Sequence, residues 1–133
     1  MSVTPADFLS AARSFDLHAG EIHRRNAISR AYYSALHAVN STLPRRKAQF
    51  SGSTHEALIA DVLAYSKGIN PGRSAARMIA GHLPVLKQAR KRADYQLDVE
   101  IDEVAVHDCF LRTARVLDGC KELARTLAPD VSA

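Results

Sequence analysis

Asn26, Arg30, Tyr33 and His37 follow one another at three- and four-residue spacing, with Ser34 next to Tyr33. On a helix they fall along one stripe, with Arg30 and His37 two turns apart, about 10 Å along the axis. Arginine suits a phosphate or the charge that develops on it, and histidine is the side chain tuned for proton transfer near neutral pH. Arg30 would hold a phosphodiester while His37 activates or protonates an oxygen. In RNA that oxygen is the 2′-hydroxyl, and the step needs no metal. The same stripe would also serve as a hydrogen-bonded seam between helices, and spacing alone leaves both readings open.

A second constellation, Leu86-Lys87-Gln88-Ala89-Arg90-Lys91-Arg92-Ala93-Asp94-Tyr95, carries four cations. Arg90 and Asp94 are at i,i+4 and can pair along a helix. Tyr95, about one turn beyond Arg92, could stack on a base or close a structural network with the second helix. Other chemistries are absent. The chain has no phosphate-binding G-x-x-x-x-G-K-[ST], no G-x-G-x-x-G and no G-x-S-x-G. His55-Glu56 lacks the second histidine of H-E-x-x-H, and His18, His23, His82 and His107 have no companions for a metal site. Cys109 and Cys120, eleven apart, share a face of the last helix as core residues rather than a redox pair. No metal or cofactor is expected.

Charge is unevenly distributed. From Glu21 to Phe50 there are six bases (Arg24, Arg25, Arg30, Arg45, Arg46, Lys47) and one acid. From Lys67 to Ala93 there are seven bases and no acid, and from Asp94 onward nine acids against four bases. The first two segments could converge on a polyanion, leaving the acidic last helix away from it; two solvated helix faces would give the same counts.

These residues need elements to position them, and every long segment reads with helical period. At 133 residues and 47% hydrophobic content the chain suits a single domain spanning 1–133, with 128–133 a frayed tail. Thr4-Pro5 opens a first helix, marked by Phe8, Leu9, Ala12 and Phe15, that fades near Ala19-Gly20. A second runs from Glu21 to Leu43, where Pro44 stops it. A basic loop, Arg45 to Gly52, follows. Ser53 or Thr54 caps a third helix that ends at Gly68. The fourth covers Arg73 to Gln96, with a kink or break expected around Gly81 and Pro84. Asp102 caps the fifth, which reaches Leu127. The expectation is an all-α, up-and-down bundle of about five helices. No apolar run approaches the ~20 residues of a membrane span. With no leader pattern at the start and no disulfide framework, a cytoplasmic protein is expected.

Ser29-Arg30-Ala31-Tyr32-Tyr33-Ser34-Ala35-Leu36-His37-Ala38 resembles the S-R-A-Y-Y-A-x-F-H-A helix of HEPN-domain proteins. Thr54-His55-Glu56-Ala57-Leu58-Ile59 resembles the segment opening their next helix. Arg90-Lys91-Arg92-Ala93-Asp94-Tyr95 resembles the R-x-x-A-D-Y stretch of a branch often encoded beside a minimal nucleotidyltransferase. The resemblance implies a helical bundle that forms a homodimer around a groove. It implies a metal-independent ribonuclease toxin of a toxin–antitoxin or defence system, with Arg30 and His37 catalytic. Asn26, Tyr33, Ser34, His55, Arg90, Arg92, Asp94 and Tyr95 would bind or support. The alternative it implies is a non-catalytic subunit that binds nucleotide or nucleic acid, or docks with a nucleotidyltransferase partner. In the family's toxins a polar residue usually follows the arginine, where this chain has Ala31, and the motif usually sits on a later helix.

Overall fold

The computed structural model describes residues 2–44 and 52–128, with backbone alone at 52 and 53. The basic loop Arg45–Ser51 and the tail from Pro129 lie outside the described residues. Five helices form an all-α bundle: α1 (Pro5–Arg13), α2 (Glu21–Thr42), α3 (Gly52–Lys67), α4 (Arg73–Tyr95) and α5 (Glu103–Leu127).

Helix α1 starts in a capping box. The Thr4 hydroxyl accepts from the Asp7 amide at 3.3 Å, and the Thr4 amide donates to the Asp7 carboxylate at 2.6 Å. It ends six residues before the expected Ala19. The Ser14 hydroxyl donates to the Ala11 carbonyl at 2.6 Å, and Asp16 then accepts the His18 amide at 3.0 Å, two local bonds that compete with further helix. Phe15 and Leu17 still pack on the core from this turn.

Helix α2 is the central element and packs on α1, α4 and α5. Ala27, Ile28, Ala31, Tyr32, Ala35, Leu36 and Val39 are all at most 1% exposed. The alanines let neighbouring helices approach closely, while Tyr32, Ile28 and Leu36 fill the volume between them. The Ser34 hydroxyl donates to the Pro5 carbonyl of α1 at 2.7 Å, and Thr113 of α5 donates to the Ala31 carbonyl at 3.1 Å. Ser41 and Thr42 both turn back onto the Ala38 carbonyl, at 3.0 and 2.7 Å, just before the extended Leu43.

Helix α4 lies antiparallel to α2: Ser29 meets Asp94, and Tyr32 and Tyr33 meet Arg90. It is a single helix, without the break expected at Gly81 and Pro84. Proline withdraws one N–H from the ladder, and the fully buried Leu83 and Leu86 hold both sides of that point. α3 leans chiefly on α4, and α5 closes the bundle against α2 and α4. The Asp102 carboxylate caps α5 by accepting the Ala105 amide at 2.9 Å. Cys109 and Cys120 are free and buried, as expected of core residues, and burial raises their thiols to about 11 and about 12. No described helix is long and apolar enough to cross a membrane.

Candidate functional site

Where α2, α3 and α4 meet, the fold gathers Tyr32, Tyr33 and His37 from α2, His55 from α3 and Arg90 from α4. Tyr32 is fully buried, and its hydroxyl lies 2.9 Å from Nδ1 of His55. Burial raises the Tyr32 phenol to about 12, against the lowering effect of Arg90, so it stays protonated and able to donate. His55 is held below the usual histidine range by burial first, then by Arg90, Lys87 and His37. Its ring is therefore neutral near pH 7, and its Nδ1 shares a hydrogen bond with the Tyr32 hydroxyl.

The Arg90 guanidinium lies 5.3, 5.9 and 5.7 Å from the ring centres of Tyr32, Tyr33 and Tyr95. These are cation–π distances, and the removal of Arg90 from solvent strengthens the attraction. Its expected partner Asp94 is present at 3.7 Å from Nη1, a long pair, and the Ser29 hydroxyl donates to the same Oδ2 of Asp94 at 3.2 Å. Arg90 Nε is buried and has no hydrogen-bond partner among the described residues. Lys87, one turn back along α4, pairs with Glu56 of α3 at 3.2 Å.

Tyr33 is the hub. Its ring centre is 6.2 Å from that of His37 and 6.0 Å from that of His55, edge-on to the latter. His37 is half-buried, and burial holds it below the usual histidine range. The Phe8 ring of α1 stands 5.1 Å from it.

The expected stripe on α2 divides. Asn26 and Arg30 are exposed, Tyr33 and His37 are half-buried, and Ser34 is fully buried under α1 with its hydroxyl committed to Pro5. Ser34 thus fastens α2 to α1, with its hydroxyl committed there. The reason is angular: Ser34 is turned ~100° from Tyr33 on the helix, which carries it beneath α1. Arg30 lines a shallow depression with Val3, Asp7, Phe8 and Ala11. His37 lines a neighbouring one with Val3, Phe8 and Ser41. Val3 and Phe8 border both depressions, so Arg30 and His37 open onto adjoining surfaces beside α1. Arg92 is exposed on α4, and Tyr95 is 70% exposed at its end.

The basic segments supply fewer free cations than their counts promised. Arg25 is 6% exposed, pairs with Glu21 at 2.6 Å and donates to the carbonyls of Arg92, Ala93, Gln96 and Val99. It ties the end of α4 and the following turn to α2. Arg24 donates to the carbonyls of Ile101 and Leu17, at 2.6 and 2.9 Å. Both arginines hold the fold, and Lys87 and Arg90 are themselves paired with Glu56 and Asp94, whereas Arg30, Lys91 and Arg92 are exposed.

Sequence reasoning passed over Tyr32, Ser29, Lys87 and Phe8. Tyr32 sat inside the quoted motif with no role assigned; it is core, and its hydroxyl reaches His55. Nothing in the spacing of α1 marked Phe8 as the neighbour of His37. Among the described residues, no group of three or more His, Cys, Asp or Glu side chains could hold a metal ion.

No family model matches the chain, and no match was found among curated proteins or solved structures. The likeness to HEPN proteins therefore rests on the three motifs quoted above.

Proposed function

We propose that this chain acts on RNA as a metal-independent ribonuclease of the HEPN kind, working in the cytoplasm as a toxin or defence component. The observation that supports this most is the placement of Tyr33 between His37, His55 and Arg90. It gathers an aromatic platform, two neutral imidazoles and a cation at one meeting of helices. Arg30, exposed on α2, is free to swing onto a phosphate. His37 takes the proton of the 2′-hydroxyl as that oxygen attacks phosphorus. The P–O5′ bond breaks, and His37 returns the proton to the departing 5′-oxygen. The products are a 2′,3′-cyclic phosphate and a 5′-hydroxyl. A neutral His37 is the form able to begin this cycle.

In this reading the groove is completed by a second copy of the chain, and a minimal nucleotidyltransferase acts as antitoxin. Light scattering at micromolar concentration tests the first point, with a homodimer expected. Incubation of purified protein with pooled RNA in excess chelator tests the activity. Discrete cleavage is expected, and intact RNA over a wide range of protein concentration would refute the ribonuclease reading.

A second reading has its own support. The Arg90–Asp94 pair and the Phe8 ring against His37 are arrangements that a structural seam would also make. They favour a non-catalytic HEPN subunit that binds nucleotide or nucleic acid, or docks on the nucleotidyltransferase.

A further inference from the structure

Tyr95 is a large aromatic residue left 70% exposed at the end of α4, yet its ring is not unattended: Arg90 stands 5.7 Å from its centre. The guanidinium is itself fixed, since it also faces Tyr32 and Tyr33 and is mostly withdrawn from solvent. Its buried Nε makes no hydrogen bond among the described residues. An unsatisfied buried donor costs about 1–3 kcal/mol, so hydrogen bonding alone does not explain why an arginine is kept here. What the arrangement provides is a flat, cation-backed aromatic face open to solvent on one side.

Such a face suits a nucleobase. Unpaired bases stack on tyrosine rings and on arginine planes, whereas paired bases present no free face. The local charge also favours a base over a phosphate. Asp94 lies beside Arg90, and its carboxylate would repel a phosphate but can accept from a base N–H; Ser29 and Arg90 both use Oδ2, leaving Oδ1 for that role. Lys91 and Arg92, exposed on the turn before Tyr95, supply cations for the neighbouring phosphates. The antiparallel run of α4 on α2 sets the order of the parts. Tyr95 and Asp94 lie at the Ser29 end, Arg90 at Tyr33, and Lys87 toward His55.

We infer that Tyr95, backed by Arg90, is a stacking subsite for one unpaired base of single-stranded RNA, set along the seam from His37. The inference rests on the proposed RNA-directed function but not on cleavage. Binding is therefore measured with a labelled, uncleavable 2′-O-methyl oligoribonucleotide by fluorescence anisotropy. Tyr95→Ala should weaken it about 5- to 150-fold, the range that one stacked base supports. Tyr95→Phe should restore binding. Placing an abasic site in turn at each position of the oligonucleotide should reveal one position whose loss equals that of Tyr95→Ala and adds nothing to it. A duplex of the same sequence should bind more weakly. Equal binding by wild type and Tyr95→Ala, no binding by wild type, or loss of a homodimer in Tyr95→Ala would each overturn the inference, the last by assigning the face to protein contact. If wild type cleaves RNA and Tyr95→Ala cleaves and binds equally well, the subsite fails while the ribonuclease reading stands. If Tyr95-dependent binding occurs without cleavage, the ribonuclease reading fails and the subsite stands.

Discussion

The guanidinium of Arg90 lies 5.9 Å from the centre of the Tyr33 ring, bringing a cation of α4 onto the same residue that adjoins His37 and His55. This relationship joins the two sequence motifs into one place. It also gives Arg90 an electrostatic hold over the nearby imidazole.

Arg90 is one of the groups that lower the proton affinity of His55. Arg90→Gln should therefore raise the His55 pKa, read by NMR titration of the imidazole. Lys87→Gln should raise it less, because Lys87 contributes less. An unchanged His55 titration in Arg90→Gln would show that the guanidinium does not act on that ring in solution.

Stability should decline as pH falls through the histidine range. His37, His55 and His82 are all depressed, chiefly by burial. Below about 6.5 the unfolded chain takes up protons before the folded one does, which favours unfolding. Their contribution is complete above that pH and is lost toward the lower folded values. Glu21, depressed mainly by its bond to Arg25, follows in a separate window below the usual carboxylate range. Urea midpoints between pH 7.5 and 5.5 should fall in wild type and fall less steeply in His55→Asn. An identical slope would remove His55 from the account.

Arg25 should matter to folding and not to chemistry. Arg25→Ala removes a donor from four carbonyls at the end of α4 and in the turn after it, of which Arg92 and Gln96 keep a backbone N–H, and about 3 kcal/mol of stability should be lost in urea denaturation. Arg25→Lys should recover little, because an ammonium cannot reach the spread of acceptors a guanidinium fork does. Full stability in Arg25→Ala would show that water replaces these bonds.

Much of the bundle was legible because helix signals are local. Thr4, Pro44, Gly68 and Asp102 mark boundaries through caps and stops that need no tertiary partner, and the structure uses them within a few residues. The end of α1 was not legible, since Ser14 and Asp16 compete with the helix through bonds a periodicity count ignores. The site was legible in part. Spacing put Arg30, Tyr33 and His37 on neighbouring turns of α2, but could not say that Ser34 would lie beneath α1. Nor could charge counting distinguish Arg25, enclosed by carbonyls 67 to 74 residues away, from Arg30, which faces solvent.

Three glycines should respond differently to alanine. At Gly81 a methyl group meets nothing within 4 Å. Gly81→Ala should stabilise the protein by about 0.5–1 kcal/mol through helix propensity and a less free unfolded chain. At Gly119 it would come 2.9 Å from Met78 Cε and 3.0 Å from Ile79 Cγ1, so Gly119→Ala should destabilise by about 1 kcal/mol or more. Gly72 has φ +73°, and a methyl there would lie 2.5 Å from Leu123 Cδ1, making its substitution the worst tolerated. Thermal midpoints of the three variants check the order.

The most direct test of the account is the chemistry of the RNA ends formed by purified protein in excess chelator, compared among wild type, Arg30→Ala and His37→Ala. The account predicts 2′,3′-cyclic phosphate and 5′-hydroxyl ends from wild type, with the rate down at least about 100-fold in His37→Ala, the scale of general acid–base catalysis, and also reduced in Arg30→Ala. Cleavage that persists at the wild-type rate in both variants, or ends bearing 5′-phosphate, would contradict it.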